Sequence, residues 1–141
     1  VIVRFEDLSP GDELEPRTIE ELHGDDTKLV AALLQDPYPP HFDRNRAEEL
    51  DYPGLLNQGP ANLSYLLQPV VRVLESPSDL RSFDVRFHDM VFEGQTVTAT
   101  ATVTETCEID GDGLVTFDLA LRDGSGDLTV RGTATARLPM R

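Results

Sequence analysis

The chain has one cysteine, Cys107, and one lysine, Lys28, in 141 residues. One thiol can form no internal disulfide and no cysteine-based metal site. Cys107 falls in a strand-like segment, where a lone cysteine packs as a small buried or half-buried side chain. His23 and His88 have no second ligand at metal spacing, so each reads as a surface or edge-strand residue and no metal is expected. Basic residues are scarce: 12 against 26 acidic ones, a formal net charge of -14. Such a surface repels phosphate backbones and argues against a nucleic-acid partner. No apolar run is long enough to cross a membrane and none reads as a secretory signal, so a soluble, cytoplasmic protein with no membrane partner is expected. Repeats and linkers are also lacking. Residues 1–141 therefore read as a single domain, long enough to bury a core.

The acids are dispersed among ordinary β-branched and leucine residues, unlike an acidic disordered tail. Two origins of the charge stay open. High-salt adaptation would screen the self-repulsion; a high-GC genome would favour arginine over lysine.

Phe5 to Gly11 reads as an opening loop, with a turn at Ser9-Pro10-Gly11-Asp12. Arg17 to Leu22 reads as a strand. Asp25 and Asp26 precede Leu29, Val30, Leu33 and Leu34, a pattern that predicts a short helix ending near Gln35. Asp43 is placed to cap a second short helix, Arg44 to Leu50, closed by Pro53-Gly54. Gly59-Pro60 opens the main helix, since proline is pre-organised for a first turn. Leu63, Leu66, Leu67, Val70, Val71 and Leu74 then form a wide apolar stripe. This helix is expected to bend at Pro69 and stop by Ser76-Pro77.

Period-two alternation dominates the remainder. Phe83, Val85 and Phe87 define one strand; Val97 to Val103, Val115 to Leu121 and Leu128 to Leu138 define three more. Each is expected to bury one face. Asp110 to Gly113 and Gly124 to Gly126 are hairpin turns. One apolar helix against an antiparallel sheet is an α+β layer arrangement. Ala99, Ala101, Gly132, Ala134 and Ala136 are expected to let the sheet approach the helix closely.

One segment concentrates chemistry: Asp36-Pro37-Tyr38-Pro39-Pro40-His41-Phe42-Asp43. Three prolines forbid a helix through it, and Asp36, before a proline, is pushed toward extended backbone. A carboxylate and an imidazole thus sit on a stiff connection where they can converge on one small molecule. Taken alone, the run reads more readily as a helix-ending or turn acid and a half-exposed loop histidine than as a catalytic pair.

The run from Leu34 to Ala47 resembles the signature of the MaoC-like hot dog dehydratases, the (R)-specific enoyl-CoA hydratases. That pattern is an Asp, Asn-Pro two residues on, His two after the Pro, Asp two later and Ala four beyond; here Asp36, Tyr38-Pro39, His41, Asp43 and Ala47 stand in those places. Gly59 occupies the family's glycine at the start of the long helix. The runs Phe5 to Asp12, Val91 to Val97 and Gly132 to Pro139 are similar to other family segments, so the likeness covers essentially the whole chain.

The resemblance implies a hot dog fold, an antiparallel curved sheet wrapped around one long central helix. It also implies reversible hydration of a trans-2-enoyl-CoA to an (R)-3-hydroxyacyl-CoA. In that reading Asp36 and His41 hold the water and move its protons. Histidine titrates near neutrality, which suits the role. The Gly59 N–H faces the thioester oxygen as an oxyanion donor. Tyr38, Asn57 and Gln58 line the substrate pocket. Tyr38 departs from the family's Asn, and Gln58 stands where a His often precedes the glycine. No cofactor is required beyond the coenzyme A of the substrate. Arg44, Arg46, Arg81 and Arg86 are candidates for its phosphates. A homodimer or dimer of dimers is expected, because a lone sheet leaves an open edge. Two rivals stand beside this reading. A hot dog thioesterase would use an acid on the long helix, which offers none before Glu75. A non-catalytic partner subunit would only complete another chain's tunnel.

Overall fold

The computed structural model describes residues 3–141. The helices precede four of the five strands, as the hydropathy periods require. A 3₁₀ turn at Phe5–Asp7, read from sequence as loop, precedes a short strand β1, Arg17–Ile19. Helix α1 spans Gly24–Leu34 and α2 spans Arg44–Glu49, with a 3₁₀ turn at Pro39–His41 between them. Helix α3 is Gly59–Val71. A last 3₁₀ turn, Pro77–Asp79, leads into β2 (Leu80–Phe87), β3 (Val97–Ile109), β4 (Asp112–Asp123) and β5 (Leu128–Leu138). The strands form one antiparallel sheet in the order β1-β3-β4-β5-β2.

The core lies between α3 and the inner face of β3, β4 and β5. Leu66 and Val70 of α3 are fully buried with Val97, Ala99, Phe117, Leu119, Val130 and Ala136. Burying a side chain of the leucine or phenylalanine class is worth about 1.5–3 kcal/mol. The alanines on β3 and β5 do face this core, as their alternation predicts. Gly132 does something different. A Cβ there would run into the Asp84 carbonyl and come 2.7 Å from Val85 Cγ1, so this glycine admits the neighbouring strand β2 rather than α3. Gly132→Ala is expected to prise β2 from β5 and cost about 1–3 kcal/mol, as overpacking does. Urea denaturation measures it.

Three expectations need correction. Helix α3 already ends at Val71, short of the Leu74 that its apolar stripe includes. Pro69 has no N–H for the preceding turn, and the helix closes with the Arg72 N–H on the Gln68 carbonyl and the Val73 N–H on the Val70 carbonyl. Leu74 is buried all the same, from the irregular turn that follows. Strand β2 buries no full face: Phe83 and Phe87 are about half exposed. It is an edge strand with a partner on one side only, while α3 packs chiefly over β3, β4 and β5. Helix α1 forms where its pattern predicts but turns Thr27 and Ala31 inward, leaving Leu29, Leu33 and Leu34 exposed.

Candidate active site

Asp36 is set by the end of α1. Gln35 takes the left-handed conformation, at φ 53°, and the Gln35 and Asp36 amides bond back to the Ala32 and Ala31 carbonyls. This is a Schellman closure with glutamine in the usual glycine place. The Asp36 side chain then accepts the Tyr38 N–H through Oδ1 at 3.1 Å. Its other oxygen, Oδ2, lies 3.2 Å from His41 Nε2. The prolines do what their geometry dictates: Pro39 starts the 3₁₀ turn that swings His41 back toward Asp36. Asp43 caps α2 as expected, accepting from the Asn45 and Arg46 amides.

His41 is held from behind. Its Nδ1 lies 2.7 Å from the carbonyl oxygen of Leu56, which can only accept, so Nδ1 carries a proton. Leu56 N–H in turn bonds to the Pro40 carbonyl at 2.9 Å. Since Nδ1 is protonated, the Nε2–Oδ2 contact needs one further proton to be a hydrogen bond. With that proton in place the pair is imidazolium with carboxylate or imidazole with acid, and the contact is a path between the two. His41 is 7% exposed, whereas the Asp36 side chain is 31% exposed, so the pair reaches solvent at the carboxylate.

Gly59 lies only three residues beyond Leu56, a span of at most about 10 Å. It is the first residue of α3, and among the described residues its N–H has no protein acceptor. A Cβ there would meet only the Phe87 ring, at 3.5 Å. Phe87 was not singled out from sequence, although the β2 alternation marked its face. The Leu56 carbonyl leaves no sequence signal at all, since any residue carries one.

Residues 7–121 match the MaoC like domain. The chain belongs to the MaoC-like family. No curated protein matches it. Among solved structures, the monoamine oxidase regulatory protein from Archaeoglobus superposes with a TM-score of 0.81 at 28% identity, over 99% of this chain and 96% of that one. The R-hydratase PhaJ1 from Pseudomonas aeruginosa gives 0.86 at 20%, over 99% and 88%. The (R)-hydratase from A. caviae involved in PHA biosynthesis gives 0.81 at 22%, over 95% and 99%. These likenesses identify the curled sheet around α3 as the hot dog fold.

The other residues singled out in this MaoC-like chain have defined places. Tyr38 is 43% exposed and sets its ring edge-on to His41, with centroids 5.3 Å apart. Its hydroxyl, ahead of burial, holds Tyr52 above the ordinary tyrosine range. Asn57 and Gln58 are buried. Asn57 accepts from the Thr27 hydroxyl and donates to Asn62, while Gln58 Nε2 donates to the Thr27 carbonyl. They bind α1 to the start of α3, and Gln58 Oε1 has no partner among the described residues. Thr27, which joins both, was not evident from sequence. A crevice of about 460 Å³ opens beside Asp36, lined by Ala31, Ala32, Gln35, Pro37, Phe42 and Lys28 but not by His41 or Gly59.

Of the arginines, Arg44 pairs with Glu93 at 2.7 Å and Arg46 with Glu49 at 2.6 Å. Arg81 is exposed, and Arg86 lies opposite Arg131 on the outer face of the sheet. His23 and His88 are exposed, and among the described residues no cluster of metal-type ligands exists. No helix is long and apolar enough to cross a membrane.

Burial pushes the Glu93 carboxyl up, but the Leu55 N–H, the Arg44 guanidinium and Lys28 outweigh it and hold it below the ordinary glutamate range. A depressed folded value means the carboxylate stabilises the fold at neutral pH. That contribution is complete above the unfolded value, about 4.3, and is lost as pH falls through the lower folded one. Glu93→Gln is therefore expected to lose less stability than the parent between pH 5 and strongly acid solution, where thermal unfolding measured across that range compares the two.

Proposed function

We propose that this protein hydrates trans-2-enoyl-CoA thioesters, reversibly, to (R)-3-hydroxyacyl-CoA. The observation that carries this reading is the 3.2 Å contact between His41 Nε2 and Asp36 Oδ2, with Nδ1 held by the Leu56 carbonyl. A water held at that contact gives a proton to the Asp36 carboxylate as its oxygen bonds to C3. Electron density moves to the thioester oxygen, facing the Gly59 N–H. C2 then takes the proton of the His41 imidazolium. The dyad ends with its proton on Asp36 instead of His41, and transfer across the contact restores the start. Nothing in this sequence needs a metal or redox cofactor. Membership of the MaoC-like family and the likeness to two (R)-hydratases support the reading. The direct test is the conjugated absorbance of crotonyl-CoA, which falls on hydration. No fall with any enoyl-CoA length would refute the activity.

The same reading includes a homodimer joined edge to edge through β2. A two-fold axis at Val85 sets Asp84 opposite Arg86 on one face and Phe83 opposite Phe87 on the other. The strand is thus self-complementary in charge and in apolar contact. Phe87 already stands beside Gly59, so the second copy's Phe83 completes the wall of the thioester pocket. Asp84→Arg and Arg86→Asp, each alone, are expected to shift sedimentation toward monomer by placing like charges opposite. The double exchange is expected to restore the dimer. Two single variants that sediment like the parent would rule out this register.

Tyr38 in the place of the family's Asn favours one second reading, a partner subunit without activity of its own. It predicts dimerisation with no absorbance change in any variant.

A further inference from the structure

Glu93 takes no part in the chemistry above, yet it ties together both segments that orient His41. On one side its carboxylate accepts from Arg44, at 3.1 Å from Nε and 2.7 Å from Nη2. Arg44 opens α2, three residues after His41. On the other side Glu93 Oε1 accepts the Leu55 N–H at 2.9 Å, and the Glu93 N–H bonds back to the Leu55 carbonyl, also at 2.9 Å. An isolated bridge between Leu56 and Phe92 continues this pairing. The next carbonyl, that of Leu56, is the one that holds Nδ1. A closed ring results: His41, Leu56, Leu55, Glu93, Arg44 and back along the chain to His41.

The surroundings are shaped for that carboxylate. A Cβ on Gly54 would come 2.7 Å from Glu93 Cγ, and one on Gly24 would strike the carboxylate and come 2.6 Å from Arg44 Nη2. Two glycines thus leave room for a two-point arginine–carboxylate bond, the geometry that fixes direction as well as distance. The Glu93 side chain is 18% exposed and that of Arg44 56%, so the carboxylate end of the pair is shielded while the guanidinium stays open to solvent. The placing of His41 matters because the carbonyl behind the ring selects which nitrogen is free to face Asp36.

We infer that Glu93 is a positioning residue for His41, acting through Leu55 and Leu56 on one side and through Arg44 on the other. For its catalytic consequence this rests on the hydratase reading; for its structural content it does not. The test therefore has two readouts on the full chain. The first is the imidazole spectrum of protein labelled with ¹⁵N-histidine, in which His41 must be distinguished from only His23 and His88. The parent is expected to show a protected His41 Nδ1–H, and Glu93→Ala to lose it. Glu93→Gln keeps an acceptor for Leu55 and is expected to retain the signal. The second readout is turnover of crotonyl-CoA. Glu93→Ala is expected to lower kcat about 10- to 100-fold with KM unchanged, the scale of a small misplacement of a reacting group. An Nδ1–H unchanged in folded Glu93→Ala overturns the inference whatever the rate does. If the parent hydrates nothing while the signal still follows Glu93, the hydratase reading falls and the positioning role stands. Should Glu93→Ala not fold, Arg44→Ala decides: it frees the carboxylate from α2, and an unchanged signal there overturns the inference equally.

Discussion

Asp36→Asn and His41→Ala are each expected to reduce crotonyl-CoA hydration by about 10²–10⁴-fold, the usual worth of a placed acid or base. The chemistry of the asparagine variant is specific. Its amide oxygen can still accept the Tyr38 N–H, so the bend survives. Its NH₂ can donate to Nε2 and hold the ring as neutral imidazole. The mobile proton of the pair is then gone, and no carboxylate remains to take one from water. Because Asp36 is partly exposed, the change should leave thermal unfolding close to that of the parent. His41→Ala removes a nearly buried ring and leaves the Leu56 carbonyl without its donor, so some stability is lost as well. The two residues act as one unit, so the double variant is expected to be no slower than the worse single one. Initial rates at saturating substrate decide this. A single variant that keeps full rate would remove the dyad from the mechanism.

Gly59→Pro is expected to lower kcat about 10²–10³-fold, or about 2.7–4 kcal/mol in the barrier, by deleting one oxyanion donor. Proline is the right probe because it removes the N–H, while the restriction that Pro60 puts on any side-chain-bearing residue before it is shared by the alanine control. It is tolerated at the first helical position, where that hydrogen has no intrahelical acceptor. Gln58, which would precede it, already has φ -71° and ψ 147°, the extended backbone that a following proline demands. A Cβ there lies 3.5 Å from the Phe87 ring, an ordinary contact. Gly59→Ala is the matched control, since it adds a similar Cβ and keeps the donor. Full activity in Gly59→Pro, with α3 intact by circular dichroism, would exclude the peptide hydrogen from catalysis. Loss in both variants would point to crowding by the side chain instead.

The elements of this fold were legible where the cause is local. Three prolines in Asp36 to Phe42 forbid helix, Asp43 is spaced to cap α2, and alternation marks β3, β4 and β5; all of these are present. The end of α3 was misjudged because an apolar stripe reports burial, not hydrogen bonding. Leu74 stays in the core after the helix has stopped. The faces of α1 and β2 were misjudged for a related reason. Leu33 and Phe83 carry the pattern of buried residues, but burial depends on what lies opposite, and within one chain nothing does.

The residues themselves determined that a carboxylate and an imidazole would flank a stiff turn, and that a glycine would open the main helix. Only the tertiary structure decided that the Leu56 carbonyl stands behind His41, that Phe87 faces Gly59, and that Glu93 links Arg44 to Leu55. The division follows from reach. Backbone preference and hydropathy period act over a few residues and can be read along the chain. Which peptide group or ring arrives from 15, 28 or 49 positions away is settled by how the sheet closes over the helix.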